Sequence, residues 1–489
     1  MEKIKAPPRI SLDNLSPGEK LDTDIKKWRQ SKTLPEGVSS GGLYRDIAII
    51  AWPAILELFL NQAASMADQM MIGKLGTWAI SAVGLSTQPR FFLISFIMAI
   101  NVGATAMVAR YKGAGSREKA NGIVRQSLLL TFVIGIIVSA LFFIFSKPIV
   151  KFMGAKEELV LIEAAKYLKI QAAGFITLAL TSTITAVLRG VGNSSSALIY
   201  NTVANIVNVF FNWVLIYGNL GAPMLGVAGA SLATVLGQAV AMIMAFVKIT
   251  RKNGYLYLSL KNIKPDWEAL GHISTIGFPV MVERTVMRVG MVAYLIMIAN
   301  LGTVMLATHQ ICVNIMQLSF VSIEGCQVAV TSLVGQCIGK KRSDMAQAYS
   351  VRCRRVGMGL AIATGLLFFF GGRLLISLYL DRGDPHWDMV LASGVTILRI
   401  LAFYQPFQAS QYILAGVLRG AGDTKSTAVI YLITVMIVRP ISAAVFIYIF
   451  KWGLIGGWLS MGVDQVLRYL LILLRFNSGK WINAVKVKE

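Results

Sequence analysis

The chain contains about twelve apolar stretches long enough to cross a lipid bilayer, and no other feature restricts its fold as much. A helix rises about 1.5 Å per residue, so a hydrocarbon core of about 30 Å takes about 20 apolar residues. The stretches fall near residues 44–72, 79–110, 122–147, 163–188, 194–217, 226–250, 271–300, 304–338, 347–379, 388–418, 426–450 and 454–476. They mix Gly, Ala and Ser with Leu, Ile, Val and Phe, without the strict alternation of a transmembrane β-strand. Of the 489 residues, 55% are hydrophobic, and the mean hydropathy is +0.64. The expected class is an all-α integral membrane protein.

The net charge of +23 sits in the loops, where it orients spans rather than binding nucleic acid. One set of loops carries Arg110, Lys112, Arg117 and Lys119, then Arg189, then Arg251, Lys252, Lys261 and Lys264, then Lys340, Lys341 and Arg342, then Arg419 and Lys425. The alternate loops are nearly neutral: residues 218–225 carry no charge, and Asp381, Asp384 and Asp388 outweigh Arg382. The basic set is therefore cytoplasmic, and an even number of spans puts both termini there too. Residues 1–42 read as a flexible cytoplasmic tail without the apolar core of a signal peptide, and 477–489 as a second tail. Cys312, Cys326, Cys337 and Cys353 have no CxxC spacing and read as buried free thiols.

The spans repeat. Pro53-Ala-Ile-Leu-Glu57 returns as Pro279-Val-Met-Val-Glu283, 226 positions later (279 − 53). Leu188-Arg-Gly-Val-Gly192 returns as Leu418-Arg-Gly-Ala-Gly422, 230 positions later (418 − 188). Two six-helix lobes follow, over 43–250 and 271–476, joined by a cytoplasmic linker at 251–270. Because six is even, the lobes run parallel, related by a pseudo-two-fold axis along the membrane normal with a central cavity between them.

The candidate chemistry lies in polar residues inside the spans. Glu57 and Asp68 are eleven residues apart on one helix, which puts them on one face about 16 Å apart along the axis. A carboxylate in a span costs about 2.5–3.5 kcal/mol and so faces the protein interior. It serves either as a site for a proton, sodium ion or cationic substrate, or as a structural hydrogen-bonding group between helices. Glu283, beside Arg284 and one turn from Arg288, is open to the same two readings, ion or substrate binding against an internal ion pair. Asn201, Asn205, Asn208 and Asn212 step by 4, 3 and 4 along one helix face, pointing inward to coordinate a cation or bond to neighbouring helices. Asp464 and Arg468, four apart, read as a neutralising pair. Thr181, Asn205, Gln310, Asn314, Tyr404 and Gln408 are expected to line a hydrated substrate cavity. Gly420-Ala-Gly-Asp-Thr-Lys-Ser426 lacks the Gly-Lys pair of a nucleotide-binding loop. No metalloprotease motif appears. Neither an enzyme nor a bound cofactor is expected.

Together, the two Leu-Arg-Gly motifs, Ala67-Asp68, Pro279 with Glu283, Thr308-His-Gln-Ile311 and Leu333-Val-Gly-Gln336 resemble the multidrug and toxic compound extrusion (MATE) transporters, over residues 44–476. The resemblance implies a monomeric plasma-membrane antiporter that exports small organic cations against an inward flow of H⁺ or Na⁺. It implies that Asp68 matches a first-helix aspartate used for protonation, and Glu283 a seventh-helix glutamate used in cation or substrate binding. Asn208 and Asn212 fall where an Asn and an Asp complete the amino-terminal site in one subgroup. Gln408 stands where sodium-coupled relatives often place an Asp, which inclines the reading toward H⁺. The rival from the same superfamily is a lipid-linked oligosaccharide flippase, which would need inward-facing arginines such as Arg90, Arg284, Arg288 and Arg439.

Overall fold

A computed structural model describes residues 38–155, 157–251, 254–258, 264–379 and 385–484. Most of the expected amino-terminal tail, parts of the linker (252–253, 259–263), part of the acidic loop (380–384) and residues 485–489 lie outside the described residues. Among the described residues every regular element is helical: α1 Ser40–Gly73, α2 Thr77–Gly113, α3 Arg117–Ile144, α4 Ser146–Phe152, α5 Glu158–Ala173, α6 Phe175–Gly190, α7 Ser194–Tyr217, α8 Gly226–Thr250, α9 Trp267–Ala299, α10 Thr303–Gly339, α11 Ser343–Ser377 and α12 Trp387–Gly420. Two more spans follow, α13 Thr424–Ile449 and α14 Gly453–Asn477.

Ten of these helices are long and apolar enough to cross a membrane, and α5 with α6 makes an eleventh span bent by 47°. Helix α9 has the length, with 33 residues, but Glu283, Arg284 and Arg288 dilute its hydropathy. With it the count reaches the twelve expected. The fourth span was expected near residues 163–188. It breaks at Gly174, where an added Cβ would lie 2.3 Å from the Val235 side chain, so α8 presses directly on the backbone. Helix α13 contains two π-helical segments, Leu432–Val438 and Val445–Ile449, on either side of Arg439. Such bulges shift the backbone register locally and often accompany functional polar groups.

The chain forms two compact units. One spans Trp52–Met281, and the other takes the described residues up to Ala51 together with those from Val282 on. The lobes expected from the sequence are therefore exchanged at their ends. The start of α1 belongs with the second unit, where Tyr349 donates to Asp46 Oδ2 at 2.6 Å. The linker and the start of α9 belong with the first, where Arg117 donates to the Tyr255 carbonyl at 2.8 Å and Gln126 to that of Lys264 at 2.9 Å. Both changeovers fall near a helix-internal proline, Pro53 or Pro279, where the backbone ladder lacks a hydrogen bond. The carboxyl terminus is not a free tail at its start: Trp481 is fully buried, stacks on Phe476 and donates to its carbonyl at 2.9 Å.

The repeated motifs have a common physical content. In the first unit, Thr105 on α2 donates to the Ala186 carbonyl on α6 at 3.0 Å, and a Cβ on Gly190 would meet the Thr105 carbonyl at 2.9 Å. In the second, Thr331 on α10 donates to the Gly416 carbonyl on α12 at 3.0 Å, and a Cβ on Gly420 would meet the Thr331 carbonyl at 2.5 Å. The motif's second glycines, Gly192 and Gly422, adopt φ of 83° and 90°, a left-handed turn that other residues resist. The motif thus sets a backbone-to-backbone helix crossing followed by a tight turn, and each lobe needs one. All four cysteines are free and buried.

Candidate functional site

The inward faces of α1 and α7 are joined rung by rung. Asn201 donates to Glu57 Oε1 at 2.6 Å, Asn205 to Asn61 Oδ1 at 2.7 Å, and Asn212 to Asp68 Oδ1 at 2.5 Å. Each pair is 144 positions apart, so the two helices run in the same direction in fixed register. Asn208 faces Thr234 on α8. With its amide turned to satisfy both of its ends, it donates to Asp68 Oδ1 at 2.9 Å and accepts from the Thr234 backbone N–H at 3.2 Å. Asp68 then accepts from two asparagines, which satisfy a carboxylate without neutralising it.

The two glutamates of the repeat occupy a different environment. Arg189 Nη2 lies 2.7 Å from Glu57 Oε2, and Arg419 forms the matching pair with Glu283. Each arginine comes from its lobe's Leu-Arg-Gly motif. Glu283 is fully buried, and its partner is Arg419 rather than the neighbouring Arg284 or Arg288. This alters the expectation that Glu57 and Glu283 are coupling carboxylates: a buried acid gripped by a guanidinium cannot lose its charge without stranding the arginine. Asp464 pairs with Arg468 at 2.5 Å, as the spacing suggested, and also with Arg439. Asp423 of the discarded nucleotide-loop lookalike is held by Arg475 at 2.7 Å.

A cavity of about 310 Å³ opens within the first unit, among α1, α2, α6, α7 and α8. Asp68 and Arg90 are its charged lining groups, and the remaining polar lining comes from amides and hydroxyls. Of the residues expected from the sequence, Asp68, Thr181, Asn205 and Asn208 line it. Asn212 backs Asp68 from a fully buried position, and Glu57 is not part of the lining. Gln310, Asn314, Tyr404 and Gln408 belong to the second unit and take no part in this cavity. Gln310 and Asn314 are exposed, one turn apart on α10. Tyr404 lies in the second unit's apolar core, and Gln408 is fully buried with neither amide atom hydrogen-bonded.

The sequence reading missed Asn61, Ser65, Thr234 and Gln238 as lining residues. Three of the steps were legible, since Glu57, Asn61, Ser65 and Asp68 stand 4, 4 and 3 apart on α1. Chemically, the cavity can exchange a proton at Asp68 or hold a small polar organic ligand between fixed charges.

The MatE family model matches residues 53–214 and 279–445. The chain is 29% identical over 471 residues to the probable multidrug resistance protein NorM of Thermotoga maritima, covering 95% of this chain and 98% of that protein. It is 26% identical over 436 residues to the uncharacterized transporter YisQ of Bacillus subtilis, covering 88% and 94%. Among solved structures, an outward-facing MATE family multidrug resistance transporter of the MOP superfamily aligns with a TM-score of 0.83 at 20% identity, over 92% of this chain and all of that one. A MOP superfamily transporter from Pyrococcus furiosus, described as having a binding pocket of reverse polarity, aligns with a TM-score of 0.83 at 19% identity over 93% of this chain. These structural likenesses carry the fold, and the family match extends over both repeats, each containing one glutamate–arginine pair. This chain is a multi-pass membrane transporter, not an enzyme, and it belongs to the MatE family.

Proposed function

We propose that the chain is a secondary active antiporter of the plasma membrane that exports small organic molecules carrying a cationic group, in exchange for protons bound at Asp68. The observation behind this reading is that Asp68 borders the cavity held by asparagine amides, whereas Glu57, Glu283 and Asp464 are each held by arginine. Protonating Asp68 strands no directly bound guanidinium. The groups facing it are Arg90 from α2, the Tyr167 side chain from α5 near Arg90, and the α7 amides. Loss of the Asp68 charge weakens its hold on a cation, and such differential affinity is what lets one ligand shift the equilibrium set by another.

The relatives named as probable multidrug resistance proteins support export of drug-like molecules. Sodium is the rival coupling ion. Gln408, an amide where sodium-coupled relatives often carry an acid, favours the proton. A lipid-linked oligosaccharide flippase is not favoured. A pyrophosphate calls for several cations, but this cavity offers one arginine, and Arg439 is engaged by Asp464. The loop charges support cytoplasmic termini, and the transporter is taken to act as a monomer with no cofactor beyond the ion gradient.

The test is efflux of a fluorescent organic cation from proteoliposomes under separately imposed H⁺ and Na⁺ gradients. A pH gradient alone should drive efflux by the wild type and not by Asp68→Asn. Efflux driven by sodium alone, or unchanged efflux in Asp68→Asn, refutes the assignment.

A further inference from the structure

Arg90 is not explained by proton exchange. An arginine within a membrane span is costly and is normally matched by an acid or by water. Arg189, Arg419, Arg439, Arg468 and Arg475 each grip a carboxylate. Arg90 makes no direct ion pair among the described residues. It lines the same cavity as Asp68 and senses it electrostatically, while the asparagines of α7 occupy the acid.

The cavity therefore holds one fixed cation and one fixed anion that are not bonded to each other. A simple organic cation entering it gains from Asp68 and is repelled by Arg90. A molecule with a cationic group and a carboxylate gains from both, because a guanidinium presents a planar fork of donors that matches a carboxylate. At about 310 Å³ the space suits a small ligand, at the lower end of the range of about 300–1,000 Å³ for such sites. We infer that Arg90 forms an anion subsite in the first-unit cavity, and that the preferred substrates are amphoteric, with a carboxylate on Arg90 and a cationic group toward Asp68. This rests on the exporter reading above and narrows its substrate class.

A rhodamine bearing a free benzoate and its methyl ester share one cationic ring system and differ only in the acid. Their binding to the purified full-length protein in lipid nanodiscs can be followed by fluorescence anisotropy. The wild type should bind the free acid about tenfold or more tightly than the ester, as expected for a charge-assisted hydrogen bond. Arg90→Gln should bring the ratio to about twofold or below, chiefly by weakening the acid, while Arg90→Lys, which keeps a point charge, should retain part of the preference. An unchanged ratio in Arg90→Gln, or a wild type that prefers the ester, overturns the inference. If Arg90→Gln does not fold, equal ratios in Arg90→Lys and wild type overturn it. Gradient-driven export of the same dyes separates the two claims. Export by the wild type without an acid preference sinks the subsite alone, and an acid preference in binding without export sinks the exporter reading alone.

Discussion

Removing the charge of Glu283 should chiefly damage stability. The Glu283–Arg419 pair has side-chain exposures of 0% and 7%, against 4% and 19% for Glu57–Arg189. Breaking a buried pair by removing one partner costs about 3–5 kcal/mol, because the other charge is stranded. An exposed pair is worth about 0–1 kcal/mol. Glu283→Gln should therefore cost about 3–5 kcal/mol, and Glu57→Gln less, since Arg189 is less deeply buried than Arg419. The double variant Glu283→Gln/Arg419→Met removes both charges and should recover most of the loss, as replacing whole buried pairs often does. A double-mutant cycle by denaturant unfolding in detergent measures the coupling, with gradient-driven efflux assayed on the same variants. If Glu283 is structural, the double variant folds and transports. A Glu283→Gln protein within about 1 kcal/mol of wild type but inactive, with the double variant also inactive, would make Glu283 a coupling or binding group and refute the reasoning.

Other consequences follow from the same geometry. Gly190→Ala and Gly420→Ala drive a methyl into a backbone carbonyl at 2.9 and 2.5 Å, and each should lower stability by about 1–3 kcal/mol, more at Gly420, read from thermal midpoints in detergent. Asp464→Asn leaves two buried guanidiniums facing each other and should destabilise more than Arg439→Met, which leaves Asp464 paired with Arg468. Thermal midpoints and yield of folded protein rank the two. Trp481→Ala should cost about 3–5 kcal/mol, because the ring is fully buried and stacked on Phe476, and a tolerant response in the same assay would restore the reading of a free tail.

The spans, the internal repeat and the inward asparagine stripe of α7 were legible in the residues, because each depends on local periodicity or on self-similarity. The stripe's register against α1 was not, although its polar counterpart, Glu57, Asn61, Ser65 and Asp68, was present in the same sequence. The break at Gly174 and the exchange of the ends of α1 and α9 depend on what packs against those segments. No local propensity encodes that.

The residues alone established that acids, amides and arginines lie inside membrane helices, since composition and spacing suffice for that. Which of Glu57, Asp68 and Glu283 is gripped by an arginine was decided by the tertiary structure. Arg189 comes to Glu57 from 132 positions away, and Arg419 to Glu283 from 136. The energy of a charge in low dielectric is set by its nearest opposite charge in space. Of these three carboxylates, Glu57 and Glu283 are therefore each paired with an arginine, and Asp68 faces the cavity.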